Sequence, residues 1–341
     1  MSSGAGGTQR YGLLASHQYP RTQNLREQLG ELFGLVEYGA ELGYDSVFAI
    51  HHYVANLQTP QVTSMVASLL PYSGDMQVGT AIMLATFMHP VQIAEEFATL
   101  DHLSNGRIVL GVGAGYRDDE FDAFGLDKTT RGARLAETVE VVRALWQDEP
   151  VHHEGRFYRL DGQRISVPPL QPGGPEIWIG AGAFPAIRRA ARLGDAWLAP
   201  GNPPTAGWFD EAVGEYDGAL AERQRTPSRR PVIVELYCAA TDEEARAQAE
   251  PFVRDEYFTY SDYKQLSWQK SRFDYLWDEV FLIGSPETIA RKILDLRAHG
   301  FDHIIHRPFW IGMPIEMARE SIRLVATEVR PRVEELIRDG N

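Results

Sequence analysis

Short β-forming runs and helix-spaced stretches take turns along almost the whole chain, and that alternation restricts it to a small set of folds. Residues 11–15, 46–49, 76–84 and 108–112 read as strands, and 177–179, 197–199, 232–237 and 303–305 continue the series. Helical spacing occupies residues 25–42, 60–70, 89–103, 131–146, 186–193, 208–223, 242–257 and 286–298. In the first of these, Leu25, Leu29, Leu32, Phe33, Val36 and Ala40 share one stripe, and Gly43 ends it. Parallel strands need long crossovers, and helices supply them, so eight such units predict an α/β chain closed as a (β/α)8 barrel. An open doubly wound sheet is the rival. Its G-x-G-x-x-G turn between the first strand and helix, with an acidic residue about 20 on, is absent. Residues 150–165 read as a small hairpin between barrel units.

Residues 9–338 are therefore expected to form a single barrel domain behind a Gly/Ser-rich tail, 1–8, expected to be disordered. A 341-residue chain with 44% hydrophobic residues can bury a large core. Its longest apolar runs, 64–70 and 78–84, fall well short of the roughly 18–20 residues a membrane span needs. The N-terminus has no apolar signal-peptide core, and Cys238 is the one cysteine, so a cytoplasmic setting without disulfides is expected. A net charge of -14 disfavours nucleic acid, and the arginine runs at 188–192 and 223–230 read as solvated faces.

In a barrel, chemistry belongs at the C-terminal ends of the strands. His51 and His52 follow the second strand. Successive strand side chains alternate, so one of the two is expected to face the site and the other to serve the structure. Gly111, Gly113 and Gly115 lie at two-residue spacing after the fourth strand. They either let a flat ring approach, with Tyr116 as a wall, or simply let a loop pack. The turn Gly180-Ala181-Gly182-Ala183 opens a helix, which suits a phosphate or is an ordinary strand-helix turn. No H-E-x-x-H or zinc-type spacing appears among the histidines, so no metal is expected.

The tract Ser104-Asn105-Gly106-Arg107-Ile108-Val109-Leu110-Gly111-Val112-Gly113-Ala114-Gly115-Tyr116, followed by Glu120-Phe121, Phe124-Gly125 and the helical segment 131–146, resembles the bacterial-luciferase-like flavin monooxygenase family. An ordered set makes the likeness specific: His51-His52, Gly79-Thr80-Ala81, His89-Pro90 and Asp101-His102-Leu103-Ser104 come first. Gln171-Pro172, Gly194-Asp195-Ala196-Trp197, Gly284-Ser285-Pro286-Glu287 and a helix ending at Val329-Arg330-Pro331 complete it. The segment 204–281 is least informative and falls where this family carries a variable insertion.

The resemblance implies reduced FMN, supplied by a separate reductase, which with dioxygen oxygenates a small organic substrate. It implies a homodimer, catalytic roles for His51 and His52, and cofactor contacts from Thr80, Ala81, Ile82, Gly113, Tyr116, Ala181, Gly182 and Ala183. At Ala81-Ile82 the family commonly has a cis peptide bond. One departure stands out: the luciferase arginine that helps hold the phosphate is Ala114 here. The form of the glycine tract is also similar to deazaflavin-dependent members, which transfer hydride without activating oxygen. A non-catalytic flavin-binding barrel is the alternative from outside enzymes.

Overall fold

Parallel strands joined by helices can bury both faces of a sheet only by stacking helices on it or closing it on itself. The computed structural model, which describes residues 8–261 and 266–339, shows closure. Residues 1–7 of the expected tail lie outside the described residues. The strands are β1 (Arg10–Ala15), β2 (Ser46–Ala49), β3 (Gln77–Thr80), β4 (Met83–Leu84), β5 (Ile108–Gly113) and β6 (Val151–Glu154). They continue with β7 (Arg159–Gln163), β8 (Glu176–Gly180), β9 (Ala196–Pro200), β10 (Pro231–Cys238), β11 (Leu282–Gly284) and β12 (His303–Arg307).

The barrel runs β1-β2-β3-β5-β8-β9-β10-β12 and returns to β1, all parallel. The β9–β10 pairing, Ala199 opposite Val232, closes it. Each of the eight expected runs supplies one barrel strand. The expected strand 76–84 is divided at a cis peptide bond between Ala81 and Ile82, and β4 resumes beside β5. β6 and β7 form the antiparallel hairpin expected at 150–165.

Alternation sorts the side chains. Leu14, Phe48, Val109, Trp178, Leu198 and Ile305 fill the barrel, while Leu13, Val47, Leu110, Ile177, Trp197 and Ile304 pack outward under the helices. Each such burial stabilises the fold by about 1.5–3 kcal/mol. Near the barrel base His303 Nε2 lies 2.8 Å from Ser46 Oγ. Gly12 is obligatory beside this pair, because a Cβ there would meet Ser46 Oγ at 2.2 Å. His306 instead faces outward and meets Tyr44 Oη at 3.0 Å. Among the described residues no three His, Cys, Asp or Glu side chains gather as metal ligands, and no helix is long and apolar enough to cross a membrane.

Helix starts follow their caps. Asn24 accepts from Arg26 N–H at 3.1 Å, and Thr241 accepts from Glu244 N–H at 3.1 Å. Three features depart from expectation. A short helix, Asp118–Phe124, follows β5. Between β10 and its helix Pro286–Ala298 the helix expected at 242–257 forms as Asp242–Tyr260, but further short turns and β11 follow it. Within the span 204–281, residues 208–238 thus form an ordinary helix and strand, and the extra chain follows them. The last helix does not end at Pro331. A π-turn at Val325–Val329 joins the helix Ile315–Leu324 to Arg330–Asp339, so the helix runs on through Pro331.

Candidate active site

The two histidines after β2 have different surroundings. His51 is buried, with 3% of its surface exposed. Its Nδ1 accepts the N–H of Leu84 at 3.1 Å, so a neutral ring carries its proton on Nε2, which donates to Gln61 Oε1 at 3.0 Å. Burial pushes its pKa down to about 4 and keeps it neutral. Both ring nitrogens are engaged by the protein.

His52 has one nitrogen tied and one open. Its Nδ1 lies 3.2 Å from Oε1 of Glu120, a carboxylate sealed from solvent. The same Oε1 accepts the N–H of Tyr53 at 3.0 Å, and Arg117 Nη1 stands 3.6 Å away. With Nδ1–H donated to Glu120, the lone pair of Nε2 has no partner among the described residues. The ring of Tyr116 stands edge-on to it, with centroids 6.1 Å apart. Tyr53, Phe87, Phe121 and Phe124 form an apolar rim beside this pair, with centroids 4.7–5.9 Å apart.

The glycines of β5 answer to the protein first. A Cβ on Gly111 would lie 1.8 Å from the carbonyl oxygen of Thr80, and one on Gly113 would lie 1.8 Å from Ile82 Cδ1. Gly180 at the end of β8 clears the same side chain, with a Cβ 2.9 Å from Ile82 Cγ2. Ile82 therefore lies across the ends of β5 and β8. Thr80 is fully buried and donates to Gly111 O at 2.6 Å, so it locks β3 to β5. Ala81 is buried in the barrel cluster, and Ile82 packs half-exposed on top of it.

The turn after β8 exposes Gly182 and Ala183, and the helix Phe184–Leu193 starts without a side-chain cap. Among the described residues the N–H groups of Gly182, Ala183 and Phe184 have no acceptor. Ala181 O accepts the indole N–H of Trp197 at 2.8 Å, which fixes the turn to β9. Trp197 itself faces the outer core because Ala196 and Leu198 take the inward positions.

On the other side of the mouth, β10 and β12 present charge. Glu235 and Glu256 are buried and both contact Arg307, Glu235 Oε2 lying 3.5 Å from Arg307 Nε. Trp310 Nε1 donates to Glu235 Oε2 at 2.9 Å and Tyr257 Oη to Oε1 at 3.0 Å. Neither glutamate is among the residues that the sequence singled out. Glu235 is an acidic residue in an apolar strand, a signal that was available; Glu256 lies on a helix with no such mark.

These features fit a flavin: a turn of unengaged backbone donors, a floor formed by Ile82 over the ends of β5 and β8, and an open imidazole nitrogen at one barrel mouth. The family model for luciferase-like monooxygenases matches residues 10–303. The chain belongs to this family. The FMNH(2)-dependent dimethylsulfone monooxygenase of Pseudomonas fluorescens is 29% identical over 79% of this luciferase-like chain and 74% of its own length. The F420-dependent glucose-6-phosphate dehydrogenase of Amycolatopsis mediterranei is 33% identical over 49% of this chain, which spans about half (54%) of that relative. The fold is that of monooxygenase RslO1 from Streptomyces bottropensis, with a TM-score of 0.84, 23% identity, and coverage of 95% of this chain and 99% of that one. This luciferase-like barrel is thus a flavin-type oxidoreductase of the monooxygenase family.

Proposed function

We propose that the protein is an FMN-dependent monooxygenase that takes reduced FMN from a separate reductase and oxygenates a small organic substrate with dioxygen. The observation that carries this reading is the open Nε2 of His52, backed by buried Glu120, at the mouth of a luciferase-like barrel. When bound, reduced flavin supplies the electrons that activate dioxygen. The protein's groups do the rest. The backbone of Ala181, Gly182 and Ala183 holds the phosphate, while Ala81, Ile82, Gly113 and Tyr116 border the ring, with Thr80 fixing the strand beneath. His52 holds or accepts a proton at Nε2, and Glu120 orients the ring. His51, neutral and tied on both sides, shapes the wall. The aromatic rim excludes water.

The FMN assignment is supported by the adjacent histidines and by the Pseudomonas fluorescens relative. A cytoplasmic setting and a homodimer accompany it from the family likeness; light scattering of the purified protein tests the dimer. The test of cofactor and chemistry is titration with reduced FMN and with the reduced deazaflavin while oxygen is followed. Binding of reduced FMN with oxygen uptake is expected. Binding of the deazaflavin alone, without uptake, would overturn the reading in favour of hydride transfer, which Ala114 and the Amycolatopsis mediterranei relative support.

A further inference from the structure

Ala114 leaves this barrel without the arginine found after the fourth strand in luciferases, while Arg189 has no counter-ion among the described residues. Arg189 lies on the helix Phe184–Leu193, six residues beyond its cap Ala183. A helix rises 1.5 Å per residue and its side chains lean toward its N-terminus, so a long side chain at this position reaches back to the first turn. The guanidinium rests against Gly132, the second residue of the neighbouring helix Arg131–Leu145, where a Cβ would lie 2.6 Å from Nη2 and 2.9 Å from Cζ.

No carboxylate or carbonyl among the described residues meets Arg189. Glu215 is taken by Arg188. The charges around it are of its own sign: its pKa is pushed down by burial, then by Arg192 and Arg131. Arg131 gives one hydrogen bond to Lys128 O at 3.0 Å, and Arg192 one to Arg188 O at 3.2 Å; neither has an acidic partner among the described residues. Partly buried Arg189 and Arg131 and exposed Arg192 thus bear on one another in a chain of net charge -14, and Arg189 and Arg192 lie on the helix that the unengaged turn Gly182–Ala183 opens. A cation held among cations is stabilised by an anion placed between them.

We infer that Arg189, with Arg131 behind it, is the phosphate-binding cation that replaces the side chain missing at Ala114. The inference rests on the flavin reading above and adds the residue that recognises the phosphoryl group. Gly132 belongs to the device, because it lets the guanidinium lie flat against the neighbouring helix.

The experiment compares reduced FMN with reduced riboflavin, which lacks the phosphate, by anaerobic quenching of tryptophan fluorescence. Arg189→Met should weaken FMN by about tenfold to a hundredfold and leave riboflavin within about twofold. Arg189→Lys should recover part of the loss. Gly132→Ala keeps every charge and improves helix propensity, so an FMN-selective loss at unchanged or raised Tm would confirm the placement without a folding defect. Equal losses for both ligands, or no loss for FMN, would overturn the inference while leaving the flavin reading intact. If the wild-type protein binds only the deazaflavin coenzyme, the FMN reading fails; the same variants, compared on that coenzyme and its phosphate-free chromophore, then decide Arg189 separately.

Discussion

Nδ1 of His52 and Oε1 of Glu120 stand 3.2 Å apart, and the carboxylate has no exposed surface. Glu120 comes from the short helix after β5, so two barrel units meet in one hydrogen bond at the mouth. Glu120→Gln should lower the oxygenation rate by about a hundredfold or more, in the range of lost general acid-base catalysis, with flavin affinity nearly unchanged. Single-turnover kinetics beside a binding titration separates the two, and a full-rate variant would remove the pair from the mechanism.

Acid should unfold the protein in part through His51. Its folded pKa, about 4, lies below the 6.5 of a free histidine, so the unfolded chain takes up the proton first. The stability it contributes is complete above about 6.5 and fades as the pH falls toward about 4, by roughly 3 kcal/mol. Tm measured from pH 7 to 4.5 should drop less steeply in His51→Gln. The same variant should keep turnover near the wild-type rate; a large loss would give His51 a part in the chemistry.

Two glycines two residues apart should differ in whether their replacement can be rescued. Gly111→Ala drives a Cβ into the backbone oxygen of Thr80, and no side-chain change relieves that. Gly113→Ala strikes only Ile82, so Ile82→Ala in the same chain should restore most of the loss. Each single variant should lose about 1–3 kcal/mol or fail to accumulate, and urea unfolding reads the difference.

Arg307→Met strands two buried carboxylates. A loss of about 3–5 kcal/mol is expected, and the double variant with Glu235→Gln should be less destabilised than additivity requires. A double-mutant cycle by denaturant unfolding measures the coupling, and strict additivity would contradict the cluster.

The barrel was readable because alternation is local: β-forming runs, caps such as Asn24 and stops such as Gly43 act within a few residues. The site was readable only in part, because its chemistry depends on long-range partners. That one histidine serves structure and the other stays open follows from Leu84, Gln61 and Glu120, which lie 10 to 68 residues from them. The glycine spacing in β5 was visible, but what it clears, Thr80 and Ile82, is a property of strand packing. β11 escaped notice because three residues carry no period, and the last helix because a π-turn carries it on through Pro331.

Ile82 lies over two strand ends whose glycines exist to admit it. The depth of the mouth is therefore set by one branched aliphatic side chain and not by the barrel wall. A shorter residue there would lower the floor by the size of a methyl group while every strand pairing stays as it is, so chamber volume and barrel integrity can vary independently.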